Sequence, residues 1–248
     1  MIGGASPAFR PVLAGAHVRT LRPMTNNTRG LNRPMSHRFT RPAALAVAVA
    51  LAIPAGAGLA TAVAAPAQTK KATADATDRA FVREMIPHHK MAVEMAKMAK
   101  MDGDHAKIRT LAGKIITAQN GEIRTLTSIA RSLGVTPAKM PMNGQMSTQT
   151  MRDLDTLGVT MRQSGMTMNM NDLHGAKPFD RKFIDMMIPH HQGAIRMARA
   201  EQAKGKNTRL RSIARGIVTA QAIEIRQMNS WRKAWYGKTS PAGGVPKA

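Results

Sequence analysis

The chain of 248 residues contains no cysteine. That removes disulfide frameworks, thiolate metal sites and a lipid-anchored cysteine together. Aromatic residues are also scarce. Beyond residue 65 only Phe81, Phe179, Phe183, Trp231, Trp235 and Tyr236 remain, too few for a single-strand stacking platform. Specific nucleic-acid binding is therefore not expected, basic though the chain is. No segment alternates with the two-residue period of a strand, so no sheet is expected. The first 65 residues lack acid altogether and carry seven arginines. They end in an Ala/Val/Leu-rich run, Ala43 to Ala65, behind the basic lead Met35-Ser36-His37-Arg38-Phe39-Thr40-Arg41. This is the layout of a secretory signal peptide, with Met35 or Met24 as the true start and cleavage near Ala64-Ala67. The remainder carries 30 basic and 14 acidic residues. Such an excess suits loose association with an anionic envelope. The expectation is an exported, extracytoplasmic protein, periplasmic or secreted.

What the chain does have is a stretch written twice. Met85-Ile86-Pro87-His88-His89 returns as Met187-Ile188-Pro189-His190-His191, offset by 102 residues. The register holds without a gap from Asp78/Asp180 and Phe81/Phe183 through Met95/Met197 to Thr117-Ala118-Gln119 and Thr219-Ala220-Gln221, then Glu122-Ile123-Arg124 and Glu224-Ile225-Arg226. A repeat of this length marks a duplicated structural unit.

Each copy reads as two amphipathic helices. The first runs from Asp78 to about Met101, and the second from His105 to about Leu133, with Asp104 as its N-cap and Gly134 as its stop. The third spans Asp180 to near Gly205, and the fourth, capped by Asn207, ends near Tyr236. The predicted organisation is a signal segment (1–65), a flexible leader (66–77) and a first hairpin (78–133). A Met-rich linker (134–177) with a short helix after Ser147, a second hairpin (178–236) and a flexible tail (237–248) follow. Residues 78–236 form one domain, an all-α, ferritin-like four-helix bundle of two duplicated hairpins joined by a long Met-rich crossover.

At about 100° per residue, Asp78, Phe81, Met85, His88, His89, Ala92, Met95 and Ala96 share an arc of roughly 120°. Pro87 falls opposite, as an outside kink. The second helix places Gln119 and Glu122 within an apolar stripe, as the fourth does Gln221 and Glu224. Carboxylates so placed need a partner, and the inward histidines are the candidates. Two readings follow: His–Glu pairs that merely pin the bundle, or a metal centre. In the second, His88, His89, Met85, Met95 and Glu122 in one copy, and His190, His191, Met187, Met197 and Glu224 in the other, are ligands or their orienters. Imidazole with thioether and no thiolate suits copper, with Cu(I) favoured and Cu(II) possible. A di-iron site would want more carboxylates than each hairpin offers. Met91, Met98, Met166, Met168, Met170 and His174 are secondary metal candidates. The Met166–Met170 run reads as a polar, flexible, soft-metal arm, and His105 as merely solvated.

At these residues the chain resembles the domain-of-unknown-function 305 family, exported ferritin-like helical proteins. Their Met-Ile-x-His-His motif is followed by a Gln-x-x-Glu-Ile helix. The likeness covers 78–131 and, more fully, 166–235, where Phe179-Asp180 and Met186 to Ala194 fit the pattern. Some members are copper-binding, copper-resistance proteins of the periplasm. The resemblance thus implies copper handling, with a copper-exporting or copper-accepting protein as a partner. Lys90 and Met91 stand where the second copy has Gln192 and Gly193, so the two sites need not be equivalent. The favoured expectation is a non-enzymatic protein that sequesters or passes on copper. The alternatives are a ferritin-like metal oxidase and a Met-rich partner-binding module with structural His–Glu pairs.

Overall fold

The computed structural model describes residues 74–140 and 146–247; the expected signal peptide, most of the leader and Met142 lie outside the described residues. Among those described, every regular element is helical. They are α1 (Ala76–Asp102), α2 (Ala106–Ser132), α3 (Thr148–Thr156), α4 (Met161–Ser164), a 3-10 turn (Met170–Leu173), α5 (Phe179–Lys204) and α6 (Thr208–Tyr236). Caps set the ends of the long helices. Asp75 and Asp78 form a reciprocal capping box at the start of α1, with N–H to carboxylate distances of 2.8 and 2.9 Å. Asn207 caps α6 by accepting from the Arg209 and Leu210 N–H groups. Gly134, at φ 64°, turns the chain out of α2. The expected cap of α2 is corrected: His105 holds that position without a side-chain bond. Asp104 instead accepts from the Phe179 N–H at 3.0 Å and caps α5.

α1 packs on α2, α5 on α6, and α1 against α5. The shared apolar positions fill the interior in equivalent pairs: Phe81 and Phe183, Met85 and Met187, Ala92 and Ala194, Ile115 and Ile217. Two carboxylates lock the halves reciprocally. Asp180 accepts from the Asp104 and His105 N–H groups, both at 2.8 Å, and Asp78 accepts from Lys206 at 3.2 Å and Asn207 at 2.9 Å. Each hairpin therefore uses the start of its first helix to cap the turn of the other, which sets α1 and α5 antiparallel. Burial works against the Asp78 charge, yet the N–H donors of Asn207 and Asp75 outweigh it and hold the carboxyl below its ordinary range.

Three further expectations fail. Pro87 is buried rather than outward, because the crossover covers that side of α1. Glu84, one turn earlier, faces Thr150 and Asp153 of α3, and Arg83 pairs with Asp153 at 2.7 and 2.9 Å. The described part of the crossover is folded, with Leu154, Leu157, Val159, Met166 and Leu173 all in the core. The C-terminal segment is not a loose tail either. Gln192 donates to the Ala242 and Gly244 carbonyls, Arg199 to Pro246 and Lys247, and Asn229 to Gly243. Ala242 and Val245 pack on the core behind these bonds.

Two buried carboxyls exist in one half only. Glu84, where the second half has Met186, is pushed up from 4.5 to about 8 by burial and then by Asp153. Glu201, where the first half has Ala99, is pushed up from 4.5 to about 9 by burial and then by the neighbouring Asp78. Both stay protonated at neutral pH in the native state and ionise once unfolded. The native chain then binds more protons than the unfolded one between about 4.5 and 8 to 9, so stability falls as pH rises through that window. Urea unfolding between pH 5 and 8 should show a loss approaching about 1.4 kcal/mol per pH unit for each group. The Glu84→Gln/Glu201→Gln variant should be markedly flatter; an unchanged slope would mean that neither carboxyl holds the proton.

Candidate metal centre

α1 and α5 each carry two adjacent histidines on the inward face, and all four side chains are fully buried. His88 and His190, equivalent in the repeat, lie with ring centroids 3.8 Å apart and planes tilted by 38°. Equivalent residues can touch only where the axis relating the halves passes, so this pair marks it. His89 lies 6.2 Å from His88, and His191 6.3 Å from His190, by ring centroids. The four imidazoles make one cluster rather than two remote sites.

α2 and α6 bring the carboxylates. His89 Nε2 lies 2.7 Å from Glu122 Oε2, and His191 Nε2 lies 2.7 Å from Glu224 Oε2. The pairing expected from the polar residues in the apolar stripe is thus present in both halves. The imidazoles are wholly buried while the Glu122 and Glu224 side chains keep 29% and 19% of their surface. Each carboxylate therefore connects a buried ring to water.

Tautomers follow from what each nitrogen faces. The Ser164 carbonyl, 3.1 Å from His88 Nε2, can only accept, so that nitrogen donates. The Glu122 and Glu224 carboxylates likewise take Nε2–H bonds from His89 and His191. In a neutral ring Nδ1 is then a lone pair. The Nδ1 atoms of His88, His89 and His191 have no hydrogen-bond partner, nor does either nitrogen of His190. Buried polar atoms ordinarily find partners, so this concentration of orphans needs an explanation. A Lewis acid supplies one, because an acceptor on one imidazole nitrogen is what orients the other toward a metal. Burial, then the neighbouring His89, holds His88 well below the usual imidazole range; burial, then His88, does the same to His190. Both rings stay neutral and keep their lone pairs.

Thioethers lie on the same faces. Met85 and Met187, fully buried, precede the histidines by one turn and are their neighbours on the helix surface. Met95 and Met197 are as deeply buried but about 10 Å further along the axis from His88 and His190. They do not share an ion with Met85 or Met187 of their own helix. Among the described residues no three His, Asp or Glu donors already converge on one point. A soft ion here would draw on imidazole and thioether together.

The secondary candidates separate. Met166 is buried in the core, with Met168 and Met170 half-buried against it, which corrects the expected flexible arm. The segment is pinned from the other side: a Cβ at Gly193 would overlap the Ser164 carbonyl, and one at Gly165 would overlap Pro189 and His190 backbone atoms. Met91, where the second copy has Gly193, is buried in α1, and Met98 is half-buried. His174 is exposed and apart from the buried cluster. His105 is corrected too: its Nδ1 lies 2.7 Å from Asp180, and its ring stacks on Trp235 at 3.8 Å. The sequence reading missed Ser164, which acts through its backbone and leaves no side-chain signal. It also left unassigned the buried Oε1 atoms of Gln119 and Gln221, which have no partner, although both glutamines recur in the repeat.

The model of a family described as a domain of unknown function, DUF305, matches residues 78–232. Two solved structures of a protein named CopM are similar. Its Cu(I)-bound form is 30% identical with a TM-score of 0.52, over 64% of this chain and 98% of that one. Its Ag-bound form from soaking is 29% identical with a TM-score of 0.51, over 64% and 97%. A DUF305 protein of Streptomyces coelicolor shares the fold, at a TM-score of 0.55 and 24% identity, over 67% of this chain and 96% of that one. The uncharacterized protein L153 of Acanthamoeba polyphaga mimivirus is 37% identical over 51 residues, which are 21% of this chain and only 34% of that relative.

The contact at Gly193 makes a testable claim. Gly193→Ala should cost about 1–3 kcal/mol in urea unfolding, as overpacking does. It should also move the His88 imidazole resonances by displacing the Ser164 acceptor. Gly216→Ala, at a helix position with open space around it, should instead be neutral or stabilising by up to about 1 kcal/mol. Equal effects at the two positions would show that the α4 approach is not tight.

Proposed function

We propose that this chain, which belongs to the DUF305 family, is an exported copper-binding protein. It sequesters or passes on Cu(I) through His88, His89, His190 and His191, with thioethers from Met85 and Met187. The observation that carries this is the set of buried imidazole nitrogens without partners around the axis, three of the rings already oriented by an acceptor on Nε2. Neutral imidazole and thioether are donors that soft Cu(I) accepts and that hard cations do not. CopM, similar in fold and in sequence, has been solved with Cu(I), Cu(II) and Ag bound. The cluster touches only two carboxylates, Glu122 and Glu224, fewer than a di-iron oxidase would want, which favours binding over oxidative turnover. Export is supported by the basic lead with its apolar run. Met95, Met197 and the Met166–Met170 segment are further thioethers that pack around the cluster or along its helices.

Copper titration of residues 66–248 under reducing conditions, against a competing chelator, tests the assignment. The His88→Ala/His190→Ala variant should lose tight binding by at least tenfold, and the Met166, Met168 and Met170 triple leucine should keep it. Cu(I) should also raise the melting temperature of the parent chain, as any native-state ligand does. If the methionine changes alone abolish binding, the crossover carries the metal. Binding no tighter than a generic basic protein would leave the His–Glu pairs as structural pins.

A further inference from the structure

The buried cluster meets water at Glu122 on α2 and Glu224 on α6. The start of α2 approaches the end of α6. His105 at the start of α2 stacks on Trp235 near the end of α6, and a cavity of about 230 Å³ between them is lined by Lys107, Leu111, Lys114, Gln227 and Trp231. The charges on these helices are one-sided. α2 exposes Lys107, Arg109, Lys114, Arg124 and Arg131, and α6 exposes Arg209, Arg211, Arg215, Arg226 and Lys233. None of the ten forms an ion pair within the described residues. The only acids on α2 and α6 are Glu122 and Glu224, each bonded to a buried histidine. α1 and α5, by contrast, mix both signs along their length. Lys107/Arg209, Arg109/Arg211, Arg124/Arg226 and Arg131/Lys233 are equivalent in the repeat, so the duplication preserves charge here although it lets the residue vary.

A face of this kind repels a free monovalent or divalent cation on approach. Exposed charges act over a Debye length of about 10 Å at 0.1 M salt, comparable to the spacing of neighbouring helices. It attracts anions, and such fields change association rates by factors of about 10 to 1,000. We propose that copper reaches this site as a complex of net negative charge, drawn to the α2–α6 face. There the imidazole and thioether donors replace its ligands one by one. Copper keeps its oxidation state, each bond to a carrier ligand is exchanged for one to protein, and the anionic ligands leave to solvent. The inference rests on the copper reading above and names the form in which the metal arrives.

Stopped-flow loading distinguishes the possibilities with two probes: the anionic bis(bicinchoninate) copper(I) complex and the cationic tetrakis(acetonitrile) copper(I) complex. Loading from the anionic donor should slow by about tenfold or more between 20 mM and 500 mM salt, and loading from the cationic donor should quicken. The Lys107→Glu/Lys114→Glu/Arg209→Glu/Arg226→Glu variant should flatten both trends while binding the same amount of copper at equilibrium, which also reports that it has folded. A salt-independent or accelerating anionic donor in the parent chain overturns the proposal, as does a charge-reversed variant with unchanged trends. Equilibrium binding from neither donor would overturn the copper reading itself, and this inference with it.

Discussion

Two imidazoles in contact at the centre of a helical bundle are expensive to hold. Each buried nitrogen without a partner forgoes a hydrogen bond worth about 1–3 kcal/mol to water. His88 and His190 carry three such nitrogens between them, at a ring separation of 3.8 Å. Much of the remaining structure can be understood as what makes this arrangement persist. The apolar pairs around it bury enough surface to offset the loss. The reciprocal bonds from Asp78 and Asp180 clamp both ends of the antiparallel α1 and α5. With both ends clamped, the helices cannot slide to let water reach the rings.

Duplication supplies the symmetric part of this solution, and departures from it supply the rest. At the level of the imidazoles and their carboxylates the halves match to within 0.1 Å. One layer out they diverge. Gly193 lets the Ser164 carbonyl approach α5, while its equivalent Met91 is a buried side chain. His88 consequently gains an acceptor that His190 lacks. Glu84 docks the crossover on α1 only, and the C-terminal segment straps α5 and α6 only. The two halves therefore present the same side chains with different restraint.

How much of this was legible in the sequence depends on whether the determinant is local or periodic. The four long helices and the inward faces were readable from the 3.6-residue period, and the repeat confirmed the register at every shared position. Glu122 and Glu224 could be matched with histidines because a carboxylate in an apolar stripe admits few partners. The misreadings share a cause. Asp104, His105, Pro87, Met166 and the residues after Tyr236 are all placed by contacts across the fold. A carboxylate before a helix looks like that helix's own cap, yet Asp104 serves α5, 75 residues away. Polar, Met-rich or Gly/Pro-rich segments look loose unless their tertiary partners, here Gly193, Gln192 and Arg199, are known.

Charge balance at the cluster constrains what it can hold. The imidazoles at the axis are neutral and dry, so a bare cation placed among them would meet the full cost of burying charge unless counter-charge lay nearby. Glu122 and Glu224 are the acids that touch the cluster, one imidazole away on either side. Their two negative charges match two monovalent ions or one divalent ion, and each added cation would be compensated through the ring that hydrogen-bonds its carboxylate. Because both carboxylates keep a solvent edge, that compensation weakens with salt less than a surface pair would and more than a sealed one. The same two residues would thus be the counter-ions of an ion held there, and they are also the solvent edge of the buried rings. For this reason the interior and the surface of this bundle cannot be altered independently at these two positions.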